Sequence, residues 1–405
     1  MNSYSLKIEK EVLKNYLIQS PSKLPLSIKK FKKKFFNNKE KLFLECLKLP
    51  KKLFLNADML DLGSGTGEHD ICYAKWGANL TLVDINQTSN IQAKKYFKIF
   101  KVKNKLKKVV TNSIYNFKSK KKFDIIICEG VMHHMQEPER AYKIILKNLK
   151  PGGFCILSLA FDFSHFQRSL QRLIMYELRG KGSTEENEKI IRTLFSETIN
   201  RSHKLGGRSK KQIIYDFYNN PKHKGINLIS ILGWFKKSKM DYYSSFPSIE
   251  PEGFMNGLTQ KSIGEYLKEE PLITLFQSIY FLMASKDYQE NFKKYSFEAR
   301  RVQKNWKNFL KVSKLNDIDE RTKNLNLVMI AKKFNSFTNS NIAFFNKRNS
   351  DTTKKIIIFN KEFHQLLKSL KNKNIKSIKK NIKNFSHMFR GYNGVPSNYI
   401  VGYKR

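Results

Sequence analysis

Asp61-Leu62-Gly63-Ser64-Gly65-Thr66-Gly67 follows the apolar pair Met59-Leu60, which reads as the end of a buried strand. Glycine at every second position lets a turn adopt positive φ and brings backbone N–H groups close to a ligand. A helix starting just beyond adds its positive dipole end. This is a nucleotide-cofactor loop. A dinucleotide fingerprint, Gly-x-Gly-x-x-Gly, needs its third glycine at position 68, which is Glu68; the glycine stands at Gly67 instead.

Four further landmarks follow in order. Leu80-Thr81-Leu82-Val83-Asp84 is a short apolar run ending in a carboxylate 17 positions after Gly67, and Val109-Val110-Thr111-Asn112-Ser113-Ile114 reads as a third strand with its exit loop. Phe123 to Cys128 is a fourth strand running into Glu129-Gly130-Val131-Met132-His133-His134, and Pro151-Gly152-Gly153 turns into a fifth at Phe154-Cys155-Ile156-Leu157. Helical segments Ile91–Phe100 and Glu137–Leu149 alternate with them, the pattern of a parallel sheet covered on both faces.

Glycine loop and landmarks together resemble the class I S-adenosylmethionine-dependent methyltransferases. The resemblance implies an α/β fold, a Rossmann-like doubly wound seven-stranded sheet with the last strand antiparallel, and S-adenosyl-L-methionine as cofactor. Carried over position by position, the cofactor set is Asp61, Gly63, Ser64, Gly65 and Gly67 in the loop, Asp84 and Ile85 at the ribose, Asn112, Ser113 and Ile114 at the adenine, and Glu129. An ionised Asp84 offers only acceptors, which suits two ribose hydroxyls. Ser113 stands where the family more commonly has Asp.

The implied organisation is a helical N-terminal cap over 1–56, the cofactor-binding core over 57–160, a first insertion over 161–227 and a core helix and strand over 228–247. A second helical insertion over 248–322, a closing strand over 323–333 and a basic C-terminal extension over 334–405 complete it. Within the extension Lys355–Phe359 reads as a strand, Phe363, Leu366, Leu367 and Leu370 as a helix face, and Ile375, Ile378 and Ile382 as another.

Candidate catalytic residues are Glu129, His133, His134, Asp216 and His223. Histidine is the usual base at neutral pH, but paired histidines in this loop recur across relatives with unrelated substrates, which favours a structural role. Arg208, Asp216, Tyr218 and His223 lie in the first insertion, on the side where an acceptor enters, and are the candidate acceptor-binding set. The competing reading makes Gly206-Gly207 a helix end and Arg208–Asp216 a structural pair. No cluster of His or Cys has metal-ligand spacing, so no metal is expected.

A net charge of +43 and a pI near 9.9 would ordinarily point to nucleic acid. The excess is mostly lysine, with 13 arginines among 77 basic residues, and it travels with abundant Asn, Ile and Phe. An A/T-rich coding sequence produces that by composition, whereas base readers favour arginine. Cys46, Cys72, Cys128 and Cys155 show no C-x-x-C spacing, Met1–Val12 lacks a signal peptide's apolar stretch, and apolar tracts such as Pro271–Ala284 are too short to span a bilayer. A cytoplasmic protein without transmembrane segments is expected.

Methyl transfer from a sulfonium needs alignment more than dedicated catalytic groups, so the acceptor half is less legible than the cofactor half. The Pro-Pro-aromatic run of exocyclic-amine methylases is absent after Glu129, and Cys128 lacks the proline setting of a base-carbon nucleophile. The expected acceptor is an oxygen or nitrogen of a small molecule, lipid precursor, quinone or glycan intermediate. Methylation of RNA or protein, and a non-catalytic protein that keeps the fold, are the alternatives.

Overall fold

Seven strands form one sheet: β1 (Asp58–Leu62), β2 (Asn79–Asp84), β3 (Leu106–Thr111), β4 (Phe123–Glu129), β5 (Leu149–Leu159), β6 (Met240–Phe246) and β7 (Asn398–Lys404). Their order is β3-β2-β1-β4-β5-β7-β6, with β7 antiparallel to both neighbours and the others parallel where they pair. The computed structural model describes residues 3–20, 23–179, 183–249, 267, 270, 271, 273, 274, 277, 278, 296–318, 325–345, 350–390 and 398–405. Much of the expected second insertion, and of the tract Pro271–Ala284, lies outside the described residues.

The central strands β1, β4 and β5 are buried on both faces, which is why they read as unbroken apolar runs rather than alternating ones. The chain winds outward one way from β1 to β2 and β3 and the other way from β4 to β5. The loops leaving β1 and β4 therefore part company at the carboxyl edge, and the crevice between them is where open α/β sheets bind ligands.

Helices cover the sheet and extend beyond it. In chain order they are α1 (Ser3–Gln19), α2 (Lys29–Lys41), α3 (Asp70–Lys75), α4 (Gln87–Ile99), α5 (Pro138–Asn148), α6 (Asp162–Leu178), α7 (Thr184–Gly206), α8 (Lys210–Phe217), α9 (Leu228–Lys237), α10 (Ser296–Ser313), α11 (Leu327–Phe345), α12 (Ser350–Lys371) and α13 (Ile375–Asn384). A second apolar core joins α6, α7 and α8 to α10 through α13. Phe163 stacks on Trp306 with ring centroids 4.1 Å apart, and Phe334 on Phe363 at 3.9 Å. Fully burying one such aromatic is worth about 1.5–3 kcal/mol, so this body is a structural unit of its own rather than a loop.

Two expectations fail here, for one reason. The closing strand expected at 323–333 is not a strand: Leu327–Phe345 is helical, with Ile330, Phe334, Phe337, Asn341 and Phe344 buried at helical intervals. Lys355–Phe359 likewise lies inside α12, where Ile356 and Phe359 are buried while Ile357 is 50% exposed. Runs of Ile, Val and Met suit either structure, and tertiary packing overrides their weak strand preference. The sheet is closed instead by Tyr399-Ile400-Val401 in β7, within the segment read as a basic extension. Residues 247–397 are thus one long excursion between β6 and β7.

Candidate active site

The loop after β1 turns on three positive-φ glycines, Gly63 (+86°), Gly65 (+55°) and Gly67 (+79°). At Gly63 a side chain has no room: a Cβ there would stand 2.4 Å from Cγ2 of Val131, in the loop leaving β4. The two loops flanking the crevice therefore touch at this point.

Asp84 ends β2 and organises its surroundings. Its Oδ2 accepts from the backbone N–H of Gly65 at 2.8 Å and its Oδ1 from that of Asn86 at 2.7 Å. Asn86 in turn caps α4, accepting from Thr88 and Ser89. Burial pushes the Asp84 carboxyl up and the two N–H donors work against it.

Beside Ser113, in the loop after β3, the structure adds an acid from elsewhere. Ser113 caps the turn after β3, accepting from the N–H of Tyr115, and its hydroxyl donates to the carboxylate of Glu9 on α1. Glu9, Ile8, Val12, Leu13 and Tyr16 of α1 form one wall of a cavity of about 900 Å³, its mouth included. Gly63, Gly65, Asp84, Ile85, Asn112, Ile114 and Glu129 line it as well, with His134, Met135 and Gln136 from the β4 loop. Asp61, Ser64, Gly67 and Ser113 of the expected cofactor set are not on its wall.

Glu129 is held rather than free. Lys39 of α2 forms a buried ion pair with it, Tyr73 donates to its Oε2 at 2.7 Å, and Tyr399 of β7 donates to its Oε1. Burial opposes its charge, but Lys39, His69 and these hydrogen bonds prevail and bring the carboxyl down to about 2. Next to it, buried Asp61 and Asp70 press on each other. Burial, then the charge of Glu129, raises Asp61 to about 8, and burial, then the charge of Asp61, raises Asp70 as well. Both carboxyls therefore resist ionisation at neutral pH.

S-adenosyl-L-methionine fits these residues. Asp61 Oδ1 and Ser64 Oγ are buried without a hydrogen-bond partner in the protein, and the buried acids would offset the ligand's ammonium and sulfonium charges.

The acceptor candidates separate in space. Arg208 and Asp216 form an ion pair at 2.7 Å, and Tyr16 on the cavity wall donates to the other oxygen of Asp216 at 3.3 Å. Gly207, in the left-handed conformation, ends α7 as the competing reading had it. The Tyr218 hydroxyl is fully buried and engages Arg168 and Gln171. His223 lies away from the cavity wall beside His165, whose Nδ1 is 2.8 Å from its Nε2. His133 and His134, on a short turn after β4, meet His223 with ring centroids 5.1 and 5.4 Å away. Where spacing gave no metal-ligand cluster, folding brings three histidines together.

Lys39, Tyr73, Tyr399, Glu9 and Tyr16 escaped the sequence reading. Each comes from a helix or strand remote from the motif it serves, and an isolated Lys or Tyr on a helix face carries no spacing signal.

Residues 35–198 match the family model described as a methyltransferase domain. Among curated proteins, the mitochondrial ubiquinone biosynthesis O-methyltransferase of Schizosaccharomyces pombe is 27% identical over 108 residues, 27% of this chain and 39% of that one. The ubiquinone biosynthesis O-methyltransferase of Rickettsia canadensis is 31% identical over 101 residues, 25% of this chain and 42% of that one. The chain thus spans about two fifths of the length of these relatives. Among solved structures, a S-adenosylmethionine-dependent methyltransferase from Clostridium acetobutylicum is 22% identical, covering 31% of this chain and 50% of that one with a TM-score of 0.27.

Proposed function

We propose that this chain, whose residues 35–198 match a methyltransferase-domain model, is a class I S-adenosylmethionine-dependent methyltransferase that methylates an oxygen or nitrogen of a small molecule, with quinones, lipid precursors and glycan intermediates as the acceptor classes. The observation that carries this reading is the cavity itself. Its cofactor wall, Gly63, Gly65, Asp84 and Ile85, faces a largely apolar wall from α1, Ile8, Val12 and Leu13. Such a chamber suits an apolar ring or chain better than a polymer strand.

When bound, the cofactor supplies a methyl group already activated on its sulfonium, so the chain has chiefly to bind, orient and exclude water. Asp84 would take the ribose hydroxyls, while Asn112, Ile114 and Glu9 frame the adenine. Asp61 and its neighbours favour the cationic end. On the acceptor side Tyr16, steadied by Asp216 and Arg208, reaches the cavity wall together with His134 and Gln136. Glu129, tied to Lys39 and held ionised, serves as a fixed charge rather than a base.

Among the described residues no helix is long and apolar enough to cross a membrane. The four cysteines are free thiols, which supports the reducing cytoplasm as the location.

The deciding experiment is an untargeted one. Incubating the protein and S-adenosylmethionine with host metabolite extract should give a species heavier by one methyl group, absent with Asp84→Ala and Gly65→Val. Asp216→Asn and Arg208→Ala should slow transfer while leaving calorimetric binding of S-adenosylmethionine unchanged. No heavier small molecule, together with binding to RNA that falls steeply with salt, would replace this reading with a polymer acceptor.

A further inference from the structure

Four of the chain's eight histidines gather beside the cavity from three separate segments: His133 and His134 after β4, His165 in α6 and His223 in the loop after α8. One ring nitrogen from each of His133, His134 and His223 lies within 4.8 Å of the other two. We propose that these three imidazoles bind a divalent metal ion of the zinc class.

Packing alone does not account for the cluster. Histidines buried for structure have their ring nitrogens satisfied, yet Nδ1 of His133 and Nδ1 of His223 are both buried without a hydrogen-bond partner, in residues only 8% and 3% exposed.

The supporting shell is in place. His134 Nδ1 donates to the carbonyl oxygen of Lys222 at 2.7 Å, which leaves the lone pair on its Nε2; this outer contact is the one that orients metal-binding histidines. With the shared hydrogen on His223 Nε2, pointing to His165 Nδ1, the lone pair of His223 lies on its unpartnered Nδ1. The loop that carries both is fixed by Arg172, fully buried, which donates to the carbonyls of Phe217, Tyr218 and Asn220 and to Ile318 across from them. The N–H of Lys224 closes back on His133 O at 2.7 Å.

Tetrahedral coordination with bonds of about 2.0–2.1 Å puts ligand nitrogens about 3.3 Å apart. The nitrogens, within 4.8 Å of one another, would draw together by up to about 1.5 Å on binding. An all-imidazole set selects zinc, cobalt, nickel or copper over the oxygen-seeking magnesium and calcium. Three protein ligands leave one position open. His134 lies on the cavity wall, so, resting on the methyltransferase reading, that position would take the acceptor oxygen and ease loss of its proton.

The test measures metal, not methyl transfer, so its failure is separate from failure of the proposed function. The full chain is stripped with chelator and titrated with CoCl₂, following visible d–d absorption, and ZnCl₂ is then added in competition. The expected result is a 1:1 end-point with a four-coordinate spectrum, reversed by zinc. Affinity should fall on the order of 100-fold in His133→Ala and His223→Ala and remain unchanged in His364→Ala, a control outside the cluster. Should an alanine variant fail to fold, His223→Cys decides: it should bind cobalt with an added thiolate charge-transfer band. No stoichiometric binding by the native chain, binding insensitive to the cluster variants, or no such band in folded His223→Cys overturns the proposal.

Discussion

Lys39 and Glu129 stand 90 positions apart and form a buried ion pair at the edge of the cavity beside the glycine loop. It ties the N-terminal helix α2 to the end of β4, and Tyr399 adds β7 to the same carboxylate. Three remote parts of the chain thus meet on one group. Removing Lys39 leaves that carboxylate buried and uncompensated, at a cost of about 3–5 kcal/mol. Lys39→Met should therefore unfold at clearly lower denaturant concentration than the native chain, and adding Glu129→Gln should recover part of the loss.

The same pair sets an acid limit. Glu129 has a folded-state value of about 2 against an ordinary 4.5, so its contribution is complete above about pH 4.5 and is lost as pH falls through 2. Urea titrations between pH 6 and 2.5 should show stability dropping with acid, and Glu129→Gln should flatten the part due to this group. An equally steep profile in that variant would assign the acid sensitivity elsewhere.

Asp61 has the opposite sign. Raised to about 8, it is protonated at pH 7 in the free protein, and its contribution to stability diminishes as pH climbs from about 4 through 8. A cationic ligand lowers its pKa, so binding S-adenosylmethionine at pH 7 should release protons. Calorimetry in two buffers of different ionisation enthalpy measures this directly. Asp61→Asn should abolish most of the release and weaken binding, while gaining stability above pH 8.

Gly63→Ala should fail for a steric reason that a second change relieves. The new methyl meets Val131 at 2.4 Å and the backbone keeps φ near +86°. Val131→Ala in the same chain removes the clash but leaves a left-handed cost of about 1–2 kcal/mol. Cofactor affinity should therefore be lost in the single variant and partly regained in the double.

On the proposed reading, Glu9 ties adenine binding to α1 through its hydrogen bond with Ser113. Glu9→Ala should raise the Kd for S-adenosylmethionine about fivefold to tenfold, the worth of one good hydrogen bond at about 1–1.5 kcal/mol. A cofactor analogue lacking the adenine amino group should bind native chain and variant alike. If native chain and Glu9→Ala differ as much for that analogue, Glu9 acts on the fold of α1 instead.

The strands and the cofactor loop were legible because their information is contiguous. A strand–glycine–helix turn needs its glycines at fixed offsets from one strand end, and Asp84 follows its own strand directly, so backbone geometry writes both into local spacing. The closing strand was not legible, since Leu325–Lys333 and Tyr399–Val401 offer comparable apolar runs. Only the presence of partners decides which one pairs: Phe334 and Phe337 find the helical core, and Tyr399–Val401 finds the gap between β5 and β6.

By itself, then, the sequence determined six of the sheet's seven strands, the glycine loop after the first and the acid at the end of the second, all written in local pattern and spacing. The tertiary structure decided the rest: Glu9 beside Ser113, Lys39 on Glu129, Tyr16 on Asp216, and His223 brought to His133 and His134. These contacts depend on which helix faces pack together, and packing is a property of the whole core that spacing along the chain does not encode.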